Sequence, residues 1–345
     1  MRGWTPQISI KVRGKEVSDG FYGRLVKATI RDEEAENTDK LTIKLDDDQN
    51  AIEIPAEGDV LSVSLGYRET GLVSMGLFEF QSYSIEGGEE GEFVTLQAES
   101  ASLQKGGEKA GGRESFEGKT LGEIARDLAK REGLEAVVDA SLDKIKVPYI
   151  ARIGQAPLDF LGRLAERNNG IMKRAGGKLA IAKRGSGKSA GGSQVPPILI
   201  SRSQDVVVDW EITSDPRPRY GEVQAAWIDQ KTGKREVEKA ETGFDGPKHP
   251  LRHPFPSKDE AKAAAEAEAG RLSTATGQGH FTIYGRPEAS AGADVIPSGF
   301  RPEARGPWRC PAVDHTFTSG RSGGYLTKVE VKAPERGKKG GDKAK

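Results

Sequence analysis

Between residues 7 and 100, apolar side chains recur at every second position in one short run after another. Ile8, Ile10 and Val12 alternate with polar neighbours, as do Val26, Ala28 and Ile30, and then Leu41, Ile43 and Leu45. Further runs follow at Val60–Leu65, Phe78–Phe80 and Phe93–Leu96. A period of two sends successive side chains to opposite faces, so each run reads as a strand with one face on a core and the other in water. Short strands at this spacing suggest a barrel or a sandwich, and closing a barrel also removes exposed strand edges. The 44 glycines and 18 prolines among 345 residues supply the turns such a chain needs.

The pattern changes after a glycine-rich, charged stretch, QKGGEKAGGR at 104–113, which reads as a linker. Thr120 and Glu123 form a capping box, and Leu121, Ile124, Ala125, Leu128 and Ala129 then share one helical face that Gly133 can close. A second helix is expected from Pro157, burying Phe160, Leu161, Leu164 and Ala165 and ending at Asn168-Asn169-Gly170. A hairpin follows, Ile171–Arg174 and Leu179–Lys183, turning at Gly176-Gly177. Beyond Pro196-Pro197 the strands return at Val206–Trp210, Val223–Trp227, Phe281–Tyr284 and Leu326–Lys332. Between them lies an alanine-rich helix capped by Ser257 with Glu260 three residues on.

Several stretches imitate chemistry. AKRGSGKSAGG at 182–192 ends like a phosphate-binding loop, but AGGSQVPP follows Ser189 and cannot start the helix whose N-terminus would meet the phosphates. Asp46, Asp48, Asn50 and Glu57 imitate a calcium loop, yet Ala51 stands where the sharp turn needs glycine. GRSGG at 320–324, with Asp314-His315 upstream, imitates a serine nucleophile, but a strand rather than a helix follows Ser322. His249 and His253 are separated by a proline that prevents a shared helical face, and His280 stands alone. The four tryptophans, Trp4, Trp210, Trp227 and Trp308, read as core or interface residues. No catalytic, cofactor-binding or metal-binding residue is assigned.

Composition narrows the partners. Fifty-two basic residues balance 52 acidic ones, whereas a protein that grips nucleic acid by its phosphates shows a basic excess or face. Cys310 is the single cysteine, which excludes an intrachain disulfide, and no run approaches the length of a membrane span. A soluble protein folded in a reducing cytoplasm is expected.

The order of segments resembles the late control D proteins of phage tails, which form the baseplate hub of contractile tails. IPAEGDVLSVSLGY followed by GLFEF is similar to that family's first barrel. FEGKTLGEIARDLAKREGL and PLDFLGRLAERNNGIMKRAGGKLAIAKRG are similar to its middle domain. WEITSDPRPRYGEVQAAWIDQKTGK, GHFTIYGRPEASAGADVIPSGFRP and WRCPAVDHTFTSGRSGGYLTKVEV are similar to its last barrel. The resemblance runs from about Pro6 to Val331, departing at Gln155–Asp159, where the entry to the second helix is poorer in polar residues.

The resemblance implies a mainly β chain with an inserted α+β unit: a first tube-like β-barrel at 1–103, a linker at 104–114 and a small α/β domain at 115–184. A Gly/Pro-rich loop at 185–199, a second barrel with one helix at 200–333 and a basic flexible tail at 334–345 complete it. It implies a non-enzymatic, cofactor-free hub in the virion's tail baseplate, assembled in the host cytoplasm, similar to the T-even-type hub and the N-terminal part of type VI secretion spike proteins. Three copies would form a pseudo-six-fold ring between the tail tube, or its initiator, and a trimeric spike, with the tape-measure and baseplate wedge proteins as further neighbours. Membrane and specific nucleic acid are not expected partners. The alternatives are a hub with peptidoglycan-hydrolase activity or a type VI-like spike component; a transcriptional regulator fits neither the charge nor the absence of a helix-turn-helix pattern.

Overall fold

A computed structural model describes residues 4–17, 19–34, 39–48, 50–89, 91–100, 112–175, 178–183, 194–214, 220–229, 232–274, 277–306, 308–320 and 323–334. Most of the expected linker, the 184–193 loop, the Gly176-Gly177 turn, Ser322 and the tail from 335 lie outside the described residues.

The first strands are β1 (Pro6–Val12), β2 (Lys15–Glu16), β3 (Leu25–Glu33), β4 (Lys40–Asp46), β5 (Val60–Tyr67), β6 (Gly71–Gly88) and β7 (Gly91–Ser100), with a one-turn helix α1 (Asp19–Arg24) before β3. A middle unit follows: β8 (Arg113–Thr120), α2 (Leu121–Arg131), β9 (Glu135–Val138), α3 (Ala140–Asp143), β10 (Lys146–Ile153), α4 (Pro157–Arg167), β11 (Gly170–Ala175) and β12 (Lys178–Lys183). The last group holds β13 (Ile198–Ser201), β14 (Val207–Ser214), β15 (Glu222–Ile228), β16 (Arg235–Glu241), β17 (Lys248–Pro250), α5 (Lys258–Thr274) and β18 (Gly277–Tyr284). It ends with β19 (Asp294–Ser298), β20 (Trp308–Arg309), β21 (Ala312–Thr318) and β22 (Gly324–Lys332).

The period-two runs are strands. Ile8 and Ile10, Leu61 to Leu65, Phe78 and Phe80, Val94 to Ala98, Leu41 to Leu45 and Leu25 to Ile30 all contribute to one apolar cluster, so this part of the sheet rolls around its own inner face. The roll does not close: among the described residues no backbone ladder joins β3 to β1. The expected pair of separate closed barrels is corrected here. β3 instead pairs antiparallel with β21, from Ala312 opposite Glu33 to Thr318 opposite Lys27. The early and late strands therefore belong to one open sheet, 14-stranded among the described residues: its path β14-β18-β22-β21-β3-β4-β7-β6 is antiparallel at every step, β5, β1 and β2 continue it beyond β6, and β20, β19 and β13 branch from β22.

Each end of this sheet keeps its own core. The later one gathers Ile198, Ile200, Phe281, Phe300, Trp308 and Val313 with their neighbours. β15, β16 and β17 stand apart from it in a three-stranded sheet covered by α5, whose Ala261, Ala265 and Ala269 lie flat on Val223 and Ala225. Small side chains on one helical face allow that close approach, and Ser257 caps its first turn through the Glu260 amide. In the middle unit the Thr120–Glu123 capping box is formed in both directions, and Pro157 opens α4. Gly133 takes φ +66° after α2, the left-handed conformation that ends a helix without a Cβ clash.

Candidate assembly surface

The β3–β21 seam joins the two strand groups, and side chains reinforce it. Arg31 on β3 reaches across it: its guanidinium donates to Asp314 at 3.0 Å on β21 and to Glu330 at 3.0 Å on β22, and to Glu33 on its own strand. Its neighbour Asp32 faces the other way and holds three parts of the chain together. One carboxylate oxygen accepts from the Ala291 amide of the last group, and the other from Lys173 Nζ on β11 of the middle unit. Lys173 also lies 3.2 Å from Asp39 and donates to the Glu33 carbonyl. Further along, Arg309 pairs with Glu34.

This node carries two carboxylates and one ammonium away from water. Burial pushes Asp39 up to about 6; Lys173 opposes the shift and the nearby charge of Asp32 adds to it. Burial also opposes the charge on Lys173, but Asp32 and Asp39 outweigh it and hold the ammonium above its usual range. Lys173 therefore stays charged, and burial makes Asp39 easier to protonate than an exposed carboxyl.

The motifs that imitate chemistry resolve into structure. Asp314 and His315 are adjacent on β21 and so point to opposite faces, Asp314 toward Arg31 and His315 into the core. His315 Nε2 lies 3.1 Å from the Ala289 carbonyl, which can only accept, so Nε2 carries the hydrogen. Nδ1 is then the acceptor for the Tyr325 hydroxyl at 2.7 Å. Both ring nitrogens are engaged in the neutral form, and burial holds the imidazole below its usual pKa. At the acidic turn, the Asp48 amide donates to Asp46 and the Ile52 amide to Asp47, while Arg24 occupies the carbonyls of Asp46 and Asp48. The carboxylates thus hold their own turn, which leads from β4 to β5 without pairing them. His249 lies against Tyr220 with the two rings tilted, His253 is exposed and His280 lies beside Asp209; among the described residues no group of His, Cys, Asp or Glu is arranged to hold a metal. The next described strand after β12 is β13, and the phosphate-loop residues between them lie outside the described residues. Trp308 is buried with its indole N–H on the Ala304 carbonyl, Trp210 packs on Phe281 and Phe300, and Trp4 is exposed against Tyr67.

What the surface does offer is unfinished sheet. Among the described residues β14 pairs on one side only, with β18. β6 is longer than the strands beside it: Gly71–Glu79 pairs with β5 and Phe78–Gly88 with β7, so among the described residues one of its edges meets no strand beyond Phe80. A cleft of about 2400 Å³ also lies between α4, α5 and the seam, but its walls alternate acids and bases without converging on one chemistry.

No protein-family model matches the sequence. A probable baseplate hub protein of Escherichia phage 186 is 31% identical over 272 residues, spanning 77% of this chain and 69% of that protein. The chain belongs to the phage baseplate hub proteins. The corresponding protein of Escherichia phage P2 is 33% identical over 231 residues, which are 67% of this chain and 58% of the P2 protein. Among solved structures, a 43 kDa tail protein of prophage MuSo2 from Shewanella oneidensis superposes with TM-score 0.70 at 15% identity, covering 96% of this chain and 99% of that one. A tail protein from Neisseria meningitidis gives 0.66 at 15% identity, covering 95% and 97%. An Escherichia coli type VI secretion component gives 0.58 at 9% identity, covering 95% of this chain and 77% of that one. At these identities the likeness establishes the fold.

Proposed function

We propose that this hub protein works by shape, as a three-fold adaptor in the tail baseplate of a phage particle, between a six-fold tail tube and a three-fold spike. The observation that carries the reading is the seam: two groups of strands with separate cores share one 14-stranded sheet, and among the described residues each contributes seven strands to it. Three such chains would present six similar β modules around one axis, matching a hexameric tube, while the trimer itself matches the spike. Each module would complete its barrel-like wall within the ring. Head-to-tail contacts that close on themselves are a standard route to such rings.

The role is non-enzymatic. His315 is held neutral with both nitrogens occupied, and Asp314 is committed to Arg31, so neither is free to activate a nucleophile. Peptidoglycan release by the purified protein should stay at the level of buffer; turnover lost on His315→Gln would reverse this. Negative-stain images of the purified protein, or of a tail containing it, test the main reading. A three-fold ring at the tube end supports it, and a particle without one sinks it.

A further inference from the structure

The middle unit, β8 to β12, has an interior of its own. Its core cluster draws only on residues between Phe116 and Ile181, and among the described residues its strands form two small sheets that share no backbone ladder with the main one. A unit with a separate core and a polar boundary moves readily as a body against its neighbour. We propose that this unit is a hinged module, latched to the strand groups by Lys173 in a socket made by Asp32 and Asp39, and that withdrawing Lys173 lets it swing and widen the cleft beside α4 and α5. The hinge does not depend on the ring reading.

The socket is built without its plug. Asp32 accepts from the Ala291 amide at 2.8 Å, and Asp39 accepts from the Glu33 amide at 3.2 Å and from the Ser100 hydroxyl at 3.4 Å. All of these partners belong to the strand groups, so both carboxylates are positioned there whatever the middle unit does. Lys173 enters from β11, bonding Asp32, lying 3.2 Å from Asp39 and donating to the Glu33 carbonyl at 3.0 Å. Two carboxylates held this close and this little exposed repel one another unless a cation sits between them, which favours the latched state. The cation is a single compact charge on a flexible stem, so it leaves the socket in one piece.

The rest of the boundary is unfinished. Apart from the place where α4 meets α5, the unit faces a cleft of about 2400 Å³, with Tyr149 and Asn169 on its own wall and Trp227 and Phe255 on the opposite one. Tyr149 is exposed. Each wall buries a polar atom that has no hydrogen-bond partner among the described residues, the Asn169 amide oxygen and the Trp227 indole nitrogen. Finished interiors pair such atoms. The latch, rather than packing across the cleft, therefore sets where the unit stands.

Cys310 is fully buried, so nitroxide labels report only engineered thiols. Tyr149→Cys and Glu266→Cys place labels at exposed positions on opposite walls of the cleft. Their separation in the full chain, diluted with unlabelled protein, is read by double electron–electron resonance. With Lys173 in place, one narrow distance peak is expected. Lys173→Gln should move the peak to longer distance and broaden it, while the far-ultraviolet circular dichroism keeps its native form. Lys173→Gln/Asp39→Asn withdraws the ammonium without leaving two carboxylates facing one another, and it should give the same shift. This double variant decides the matter. A peak that stays narrow and unmoved in it would overturn the hinge, because contact between α4 and α5 would then hold the unit alone. Loss of its native dichroism would overturn the hinge equally, because the node would then belong to a core shared by both parts.

Discussion

His315 and Asp39 titrate in opposite senses, and that makes them separable. His315 is neutral when folded and ordinary when unfolded, so below the usual imidazole range the unfolded chain binds a proton that the folded one does not. Its contribution is present above about pH 6.5 and is lost as the pH falls. Asp39 runs the other way. Its folded value near 6 exceeds the unfolded one, so the folded chain gains stability as the pH drops through 6 toward 4. Asp39→Asn should therefore raise stability at pH 7.5, on the order of 1 kcal/mol, and lose that advantage at pH 5. Urea titrations at the two values check it, and an advantage that grows on acidification would contradict the burial argument. His315→Phe removes the imidazole's hydrogen bonds to the Ala289 carbonyl and the Tyr325 hydroxyl, a cost of about 1–3 kcal/mol at pH 7.5 that shrinks at pH 5. Neither effect is visible in the local sequence, since both depend on strands distant along the chain.

At the level of elements, the seam should respond to salt and the alanine helix to volume. Arg31 serves Glu33, Asp314 and Glu330 together and is about one-third exposed, so Arg31→Met should destabilise by roughly 1–3 kcal/mol and leave less salt dependence behind. Unfolding at low and high salt measures it; equal losses at both would mean that packing, not charge, joins the strands. Ala265 has no room against β15, so Ala265→Leu should cost about 1–3 kcal/mol by overpacking, read by the same unfolding measurement. Those alanines were legible because a small-residue face and its Ser257 cap occur within one turn of each other. So were the first strands, whose alternation is uninterrupted. β21 was not read, because the polar His315 occupies an inward position between Val313 and Phe317 and breaks the apolar alternation. β6 was seen only at Phe78–Phe80: on either side of it glycine, serine and glutamine break the alternation, and Leu72, Val73, Leu77, Tyr83 and Ile85 are exposed rather than buried. Nothing local in the chain distinguishes two separate barrels from two groups sharing a sheet, because the β3–β21 register spans nearly the whole sequence.

For the whole molecule, the decisive contrast is between the joint made inside the chain and the joint left open. The β3–β21 seam is made within the chain, with Ala28 and Ile30 buried on its inner face. The outer part of β6 leaves Tyr83 and Ile85 in water, and the ring proposed above, where it covers them, would bind the folded state alone. Mass action then requires the thermal midpoint to rise with protein concentration, by an amount set by assembly rather than by the chain's own packing. Tyr83→Lys should remove that concentration dependence and leave the midpoint near the dilute wild-type value, because the side chain is exposed in the single copy and its loss removes little intrachain burial. Arg31→Met should do the reverse, lowering the midpoint at every concentration while preserving the slope. Scanning fluorimetry of the three proteins over a wide dilution series separates the two joints. A wild-type midpoint that ignores concentration would mean the open edges are covered by something other than further copies of this chain.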